Sequence, residues 1–210
     1  MHTNGATIVA IDDTREHLRI QDRTDEMKIK IISEHFREIM KEMGLDMEDD
    51  SLVNTPQRVA KMYVKEIFSG LNPLNKPRIT LFENKYKYNK MVLEKDISLY
   101  SFCEHHFLPI VGKAHVAYIS NGKIIGLSKL NRLVQYYSSK PQVQEKLTEE
   151  IATAIKEALN TEDVAVMIDA VHFCVASRGV KDTNSATVTT HFSGKFKNEE
   201  TKMEFLLSLK

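Results

Sequence analysis

The chain has 210 residues, 42% of them apolar, and no tryptophan, which suffices for one large or two small domains with a packed core. Lys plus Arg equals Asp plus Glu at 29 each, so no overall electrostatic footprint favours nucleic acid or an anionic membrane. Two cysteines exclude a disulfide framework, and no apolar run approaches the ~18 residues of a membrane span. The chain reads as a cytoplasmic protein whose thiols stay reduced and available as ligands, with no nucleic-acid or membrane partner.

Residues 1–22 lack periodicity and read as a variable, mobile tail, with a short apolar patch at Ile8, Val9 and Ile11 that can dock. Thr24-Asp25-Glu26 signals a helix start. Ile29, Ile32, Phe36, Ile39, Met40 and Met43 follow at helical spacing as a core-facing stripe, and Gly44 ends it. His35 falls on the outer side. Asn54-Thr55-Pro56 signals a second helix, with Thr55 as N-cap and Pro56 in the first helical position. Its inner face is Val59, Met62, Tyr63 and Ile67, and Ser69-Gly70 closes it. Arg58 and Lys61, by spacing alone, fit a solvated helix face.

Asn72 to Pro77 reads as a connector, so a helical region over 23–87 is expected to precede a second domain over 88–210. Strands are expected at Ile79–Phe82, Met91–Leu93, 96–103 and Ala114–Ile119. Asn121-Gly122 signals a hairpin turn into Lys123–Ile125. A helix with Ser128 as cap then buries Leu130, Leu133, Val134 and Tyr137. Lys129 and Arg132 stand beside the free N–H groups of its first turn, an arrangement suited to an anion. Pro141 is read as opening another helix, with Val143, Leu147, Ile151 and Ile155 inward and Gln144 and Glu145 off the core stripe. A glutamate in that position ordinarily complements the helix dipole. A strand over Val164–Val175, a turn at Ser177–Gly179, a strand over Ser185–His191 and an amphipathic helix over 198–209 with Phe205, Leu206 and Leu209 complete an α+β pattern with an antiparallel sheet.

Chemistry concentrates in Cys103-Glu104-His105-His106 and His172-Phe173-Cys174, which hold both cysteines. Cys103 and His106 are spaced so that one tight turn presents both to a single ion. His172 and Cys174, two apart on a strand, point to one face. Thiolate and imidazole suit zinc. Spacing leaves three readings open. Four ligands make a closed structural site, three leave a position for chemistry, and none leaves buried cysteines beside satisfied histidines.

Several runs resemble the GTP cyclohydrolase I family: Thr55-Pro-Gln-Arg-Val-Ala-Lys-Met, Cys103-Glu-His-His-Phe, Gly126-Leu-Ser-Lys-Leu-Asn-Arg, Gln142-Val-Gln-Glu and Asp169-Ala-Val-His-Phe-Cys-Val-Ala-Ser-Arg-Gly. The match runs in order from about residue 24 to the C-terminus. The resemblance implies a tunnelling fold, an antiparallel sheet with two helices on one side behind an N-terminal helical region. It implies Zn2+ held by Cys103, His106 and Cys174, with His105 and His172 left for proton transfer. It implies that Glu145 reads guanine with Gln144 beside it. Ser128, Lys129, Arg132 and Arg178 then serve the triphosphate, joined by Arg58 and Lys61 from a neighbouring subunit. The implied reaction opens the imidazole ring of GTP at C8, releases formate and gives 7,8-dihydroneopterin triphosphate, the entry to folate and pterin synthesis. The implied assembly is a homodecamer with active sites at subunit interfaces. Two rivals are a nitrile reductase of queuosine synthesis on the same fold, with a cysteine nucleophile and NADPH, and a structural zinc module without activity.

Overall fold

The computed structural model describes residues 23–210. The expected tail, with its patch at Ile8, Val9 and Ile11, lies outside the described residues. Contacts divide the chain into two compact units, one ending at Lys65 and one spanning Glu66–Lys210.

In the first unit, α1 (Asp25–Glu42) packs against α2 (Thr55–Met62). Thr24 caps α1 as expected, its Oγ1 accepting from Met27 N–H at 3.3 Å, with Asp25 and Glu26 in the first turn. Gly44, at φ 76°, takes the left-handed conformation beyond the helix end. The apolar stripe is only half sequestered: Met40 and Ile29 are buried, whereas Ile39 is 51% and Met43 62% exposed. His35 is exposed, as read. The start of α2 differs by one position. Asn54 is the cap residue and Thr55 is already helical, because proline's missing N–H is tolerated throughout a first turn.

In the second unit, β1 (Leu81–Glu83) pairs with β4 (Lys123–Ile125), while β2 (Met91–Cys103), β3 (Pro109–Ile119), β5 (Pro141–Gln142), β6 (Val164–His172) and β7 (Thr187–Phe192) form one sheet in the order β5-β2-β3-β6-β7. Every pairing is antiparallel except the short β2–β5 ladder. The Asn121-Gly122 turn is present, with Gly122 at φ 84°, yet β4 pairs with β1 and not with β3. β2 runs unbroken for 13 residues where two strands were expected, because a bulge between Glu94 and Ile97, with Asp96 at φ 60°, absorbs the change in alternation.

Helices α3 (Leu127–Ser138) and α4 (Gln144–Leu159) cover one face. Leu130, Leu133, Val134, Leu147, Ile151 and Ile155 interlock there with Leu99, Val116, Val166 and Ile168, whereas Tyr137 and Val143 of the stripes read from the sequence are half-buried, Val143 lying just before the helix. On the other face Ala117, Ile119 and Ala165 pack with Phe196 and with Phe205 of the C-terminal helix α6 (Glu199–Ser208). The cap of α3 is Gly126, not Ser128, whose side chain makes no capping bond. Pro141 does not open α4. It lies in β5 opposite Phe102, at a sheet edge where a residue without N–H costs nothing, and the helix starts at Gln144.

The strand carrying His172 also stops earlier than expected. Ile110 pairs with His172 in the last rung, so Phe173 would face Pro109, which has no N–H to donate. The chain turns instead into the short helix α5 (Phe173–Ala176), and Cys174 sits on that turn rather than on the strand.

Candidate active site

Cys103 is the last residue of β2, and a tight turn follows it. Phe107 N–H donates to Cys103 O at 2.8 Å, and Cys103 N–H donates to Leu108 O at 2.8 Å, closing the connection to β3. Phe107 adopts φ 52° to make that turn, its ring 5.0 Å from that of Phe68. The turn lifts His105 and His106 to the surface while Cys103 stays buried. The helical turn after β6 brings Cys174 to the same place. One ligand atom each from Cys103, His106 and Cys174 lies within 4.8 Å of the others.

Two sulfurs bound to one tetrahedral zinc stand about 3.8 Å apart. The cluster is therefore close to a ligating geometry, and two thiols with an imidazole are a donor set that zinc favours. Burial first, and then the neighbouring Cys103 thiol, push the Cys174 thiol up. The charge of a metal cation bound at the cluster would outweigh both effects and favour the thiolate.

The remaining histidines are placed differently. His105 Nδ1 lies 3.7 Å from Cys103 Sγ, beside the cluster. His172 is not among the gathered ligands; its Nε2 is 2.7 Å from Gln144 Oε1. Burial lowers its pKa, with the charge of Glu145 acting in the opposite direction. Contrary to the expectation of a residue off the core stripe, Gln144 is 1% exposed. Its amide is drawn inward because Ile168 O, Thr187 O and Thr189 Oγ1 all lie within hydrogen-bond reach of Nε2. Glu145, next along α4, is exposed, and among the described residues its carboxylate makes no hydrogen bond or ion pair, acting on His172 only through its charge.

Arg178 Nη1 donates to His106 Nε2 at 3.0 Å, putting a cation beside the cluster. Ser128, Lys129 and Arg132 lie in the first turns of α3, and none of their side chains is paired with another described residue. Arg58 and Lys61 lie on α2 in the first unit, where Lys61 lines a groove of about 570 Å³ together with Lys30, Lys65 and Glu26. The structure thus brings together Cys103, His105, His106, Cys174 and Arg178, and separately joins His172 to Gln144. Thr148, Thr187 and Thr189, which hold Gln144 in place, were missed by reading the sequence. The Thr-Val-Thr alternation was the available signal for the last two, and Thr148 left none.

Residues 32–210 match the family described as GTP cyclohydrolase I. The chain is 58% identical over 185 residues to a GTP cyclohydrolase 1 of Flavobacterium johnsoniae, covering 88% of this chain and 83% of that one. It is 53% identical over 192 residues to one from Erwinia tasmaniensis, covering 91% and 87%. It is 54% identical over 186 residues to one from Aeromonas hydrophila, covering 88% and 85%.

Proposed function

The chain belongs to the GTP cyclohydrolase I family, enzymes of the tunnelling fold, and from that premise we propose that it is a zinc enzyme converting GTP and water to 7,8-dihydroneopterin triphosphate and formate. The observation that carries this reading is the partition of the histidines. His106 joins the two cysteines, while His172 is engaged by Gln144 outside that cluster. Such a partition favours three ligands over a closed four-ligand site. Held by Cys103, His106 and Cys174, zinc would supply Lewis-acid activation of water for attack near neutral pH.

The chain's own residues do the rest. Glu145, exposed and with its carboxylate in no hydrogen bond or ion pair among the described residues, accepts from the ring N–H and the amino group of guanine. A base without those donors leaves the carboxylate unsatisfied, which favours guanine over adenine. His105 delivers a proton to N7 as the imidazole ring opens at C8. His172 handles proton transfer in ring opening or in the later rearrangement of the ribose carbons. Ser128, Lys129, Arg132 and Arg178 hold the triphosphate, with Arg58 and Lys61 contributed by a neighbouring subunit.

The same reading includes a helical region over 23–87, a catalytic domain over 88–210 and a ring-forming homo-oligomer, a decamer, with active sites at subunit interfaces. The half-exposed apolar stripe of α1 at Ile39 and Met43 supports an assembled state. No helix among the described residues is long and apolar enough to cross a membrane. A cytoplasmic location and a place at the entry to folate or pterin synthesis complete the proposal. Incubating the zinc-loaded protein with GTP tests it: formate and a dihydropterin chromophore should appear together. Zinc without turnover would leave only a structural module.

A further inference from the structure

We infer that Gln144 is a positioning residue that fixes the tautomer of His172, so that Nε2 carries the proton and Nδ1 is the ring's free acceptor. This inference rests on the reading of His172 as a proton-transfer group. It follows from the polarity of a chain of hydrogen bonds, each link of which has one permitted direction.

The chain starts at Thr148, whose hydroxyl donates to the backbone carbonyl of Gln144 at 2.8 Å. With its one hydrogen spent, Thr148 Oγ1 can only accept from Thr189 Oγ1, 2.7 Å away. Thr189 then has used its hydrogen as well, and meets Gln144 Nε2 at 3.1 Å as an acceptor. Thr187 O at 2.8 Å and Ile168 O at 3.1 Å are carbonyls and accept only. Three acceptors around one side-chain atom identify it as the amide nitrogen. The reversed amide would set an oxygen against two carbonyls and a spent hydroxyl in a buried site, where unsatisfied polar groups are costly.

With the nitrogen fixed, the other atom of the amide is the oxygen, and it lies 2.7 Å from His172 Nε2. An amide oxygen cannot donate, so the imidazole must. The neutral ring is therefore the Nε2–H tautomer. Thr148, Thr187 and Thr189 lie on α4 and β7, whereas His172 ends β6. The packing of α4 on the sheet thereby selects which ring nitrogen can take a proton. Gln144 acts through His172 and need not touch substrate.

A neutron crystal structure of the deuterated, zinc-loaded full chain, held near pH 8 so that the imidazole is neutral, reads this directly. A deuteron on His172 Nε2 facing Gln144, with Nδ1 bare, is the expected result. A deuteron on Nδ1 with Nε2 bare, or a reversed Gln144 amide, overturns the inference. The map does not depend on turnover, so failure of the wild type to release formate from GTP would sink the functional reading and leave the tautomer assignment standing. In solution, Gln144→Met should lower kcat by roughly 10- to 1,000-fold, with the KM for GTP held within about threefold. A raised KM at unchanged kcat would make Gln144 a substrate contact and overturn the inference. If that variant does not fold, the neutron map of the wild type decides alone.

Discussion

Cys103 ends β2 and Cys174 lies just past the end of β6, two strands that are not neighbours in the sheet, yet their sulfurs lie within 4.8 Å of each other. β3 runs between those strands, and both cysteines emerge at its Pro109 end. A metal there ties the β2–β3 turn to the helical turn after β6. Cys174→Ser should therefore release zinc on dialysis and lower formate production by more than about 100-fold, while His172→Ala keeps its zinc. Metal content by mass spectrometry checks both, and zinc retained by Cys174→Ser would point to another ligand set.

Glu145 and His105 are expected to fail in different ways. On the proposed reading, Glu145→Ala would remove charge-assisted hydrogen bonds to the base and should raise the KM for GTP by roughly 10- to 100-fold with a smaller effect on kcat. On the same reading, His105→Ala would remove a proton donor and should lower kcat by about 10²- to 10⁴-fold with little effect on KM. Steady-state kinetics of both variants separates them. If dihydroneopterin triphosphate still forms at the wild-type rate in both, the assignments fail.

His115 gives the fold an acid-sensitive point. It is buried on the sheet face opposite α3 and α4, and its Nδ1 accepts from Asp96 N–H at 3.2 Å across the bulge. Asp96, Lys113, Asp169 and Lys95 are the charged groups around it, and burial dominates, holding its pKa below the usual 6.5. The unfolded chain therefore takes up this proton at higher pH than the folded one. The stability contribution is complete above the unfolded value and is lost as the pH falls through the lower, folded value. The melting temperature should drop between about pH 7.5 and pH 5, and His115→Asn, which keeps an acceptor for Asp96 without titrating, should drop less. Parallel slopes would contradict this.

Gly112 of β3 lies opposite Ala170 of β6, in the strand pair that leads to His172. A Cβ there would run into Asp169 O and stand 2.5 Å from Ala170 Cα. Backbone cannot step aside as a side-chain tip can. Gly112→Ala should cost roughly 3 kcal/mol in denaturant unfolding and impair activity through β6. A variant of wild-type stability would show that the two strands separate more easily than their packing implies.

Local signals were legible where one element settles its own pattern. The stripe Leu147, Ile151, Ile155 is buried where helical spacing put it, and Cys103, His106 and Cys174, which the structure gathers, were separated from His172 as a set by the family resemblance alone. What stayed hidden depends on partners distant in the chain. The choice of β1 as partner for β4, and the stop at His172 opposite Pro109, are matters of register that no local window contains. The burial of Gln144 is set by Thr187, 43 positions later, and by Thr189, so a polar residue beside a helix start gave no hint of it. Ile39 and Met43 fit a core stripe by period, but within this single chain they remain exposed.

X-ray absorption at the zinc edge of the loaded protein examines the coordination itself. Two sulfurs at about 2.3 Å, one imidazole nitrogen near 2.0–2.1 Å and one light atom of water are the result the account predicts. A shell of two sulfurs and two imidazoles, with no water, would place His172 on the metal and contradict it.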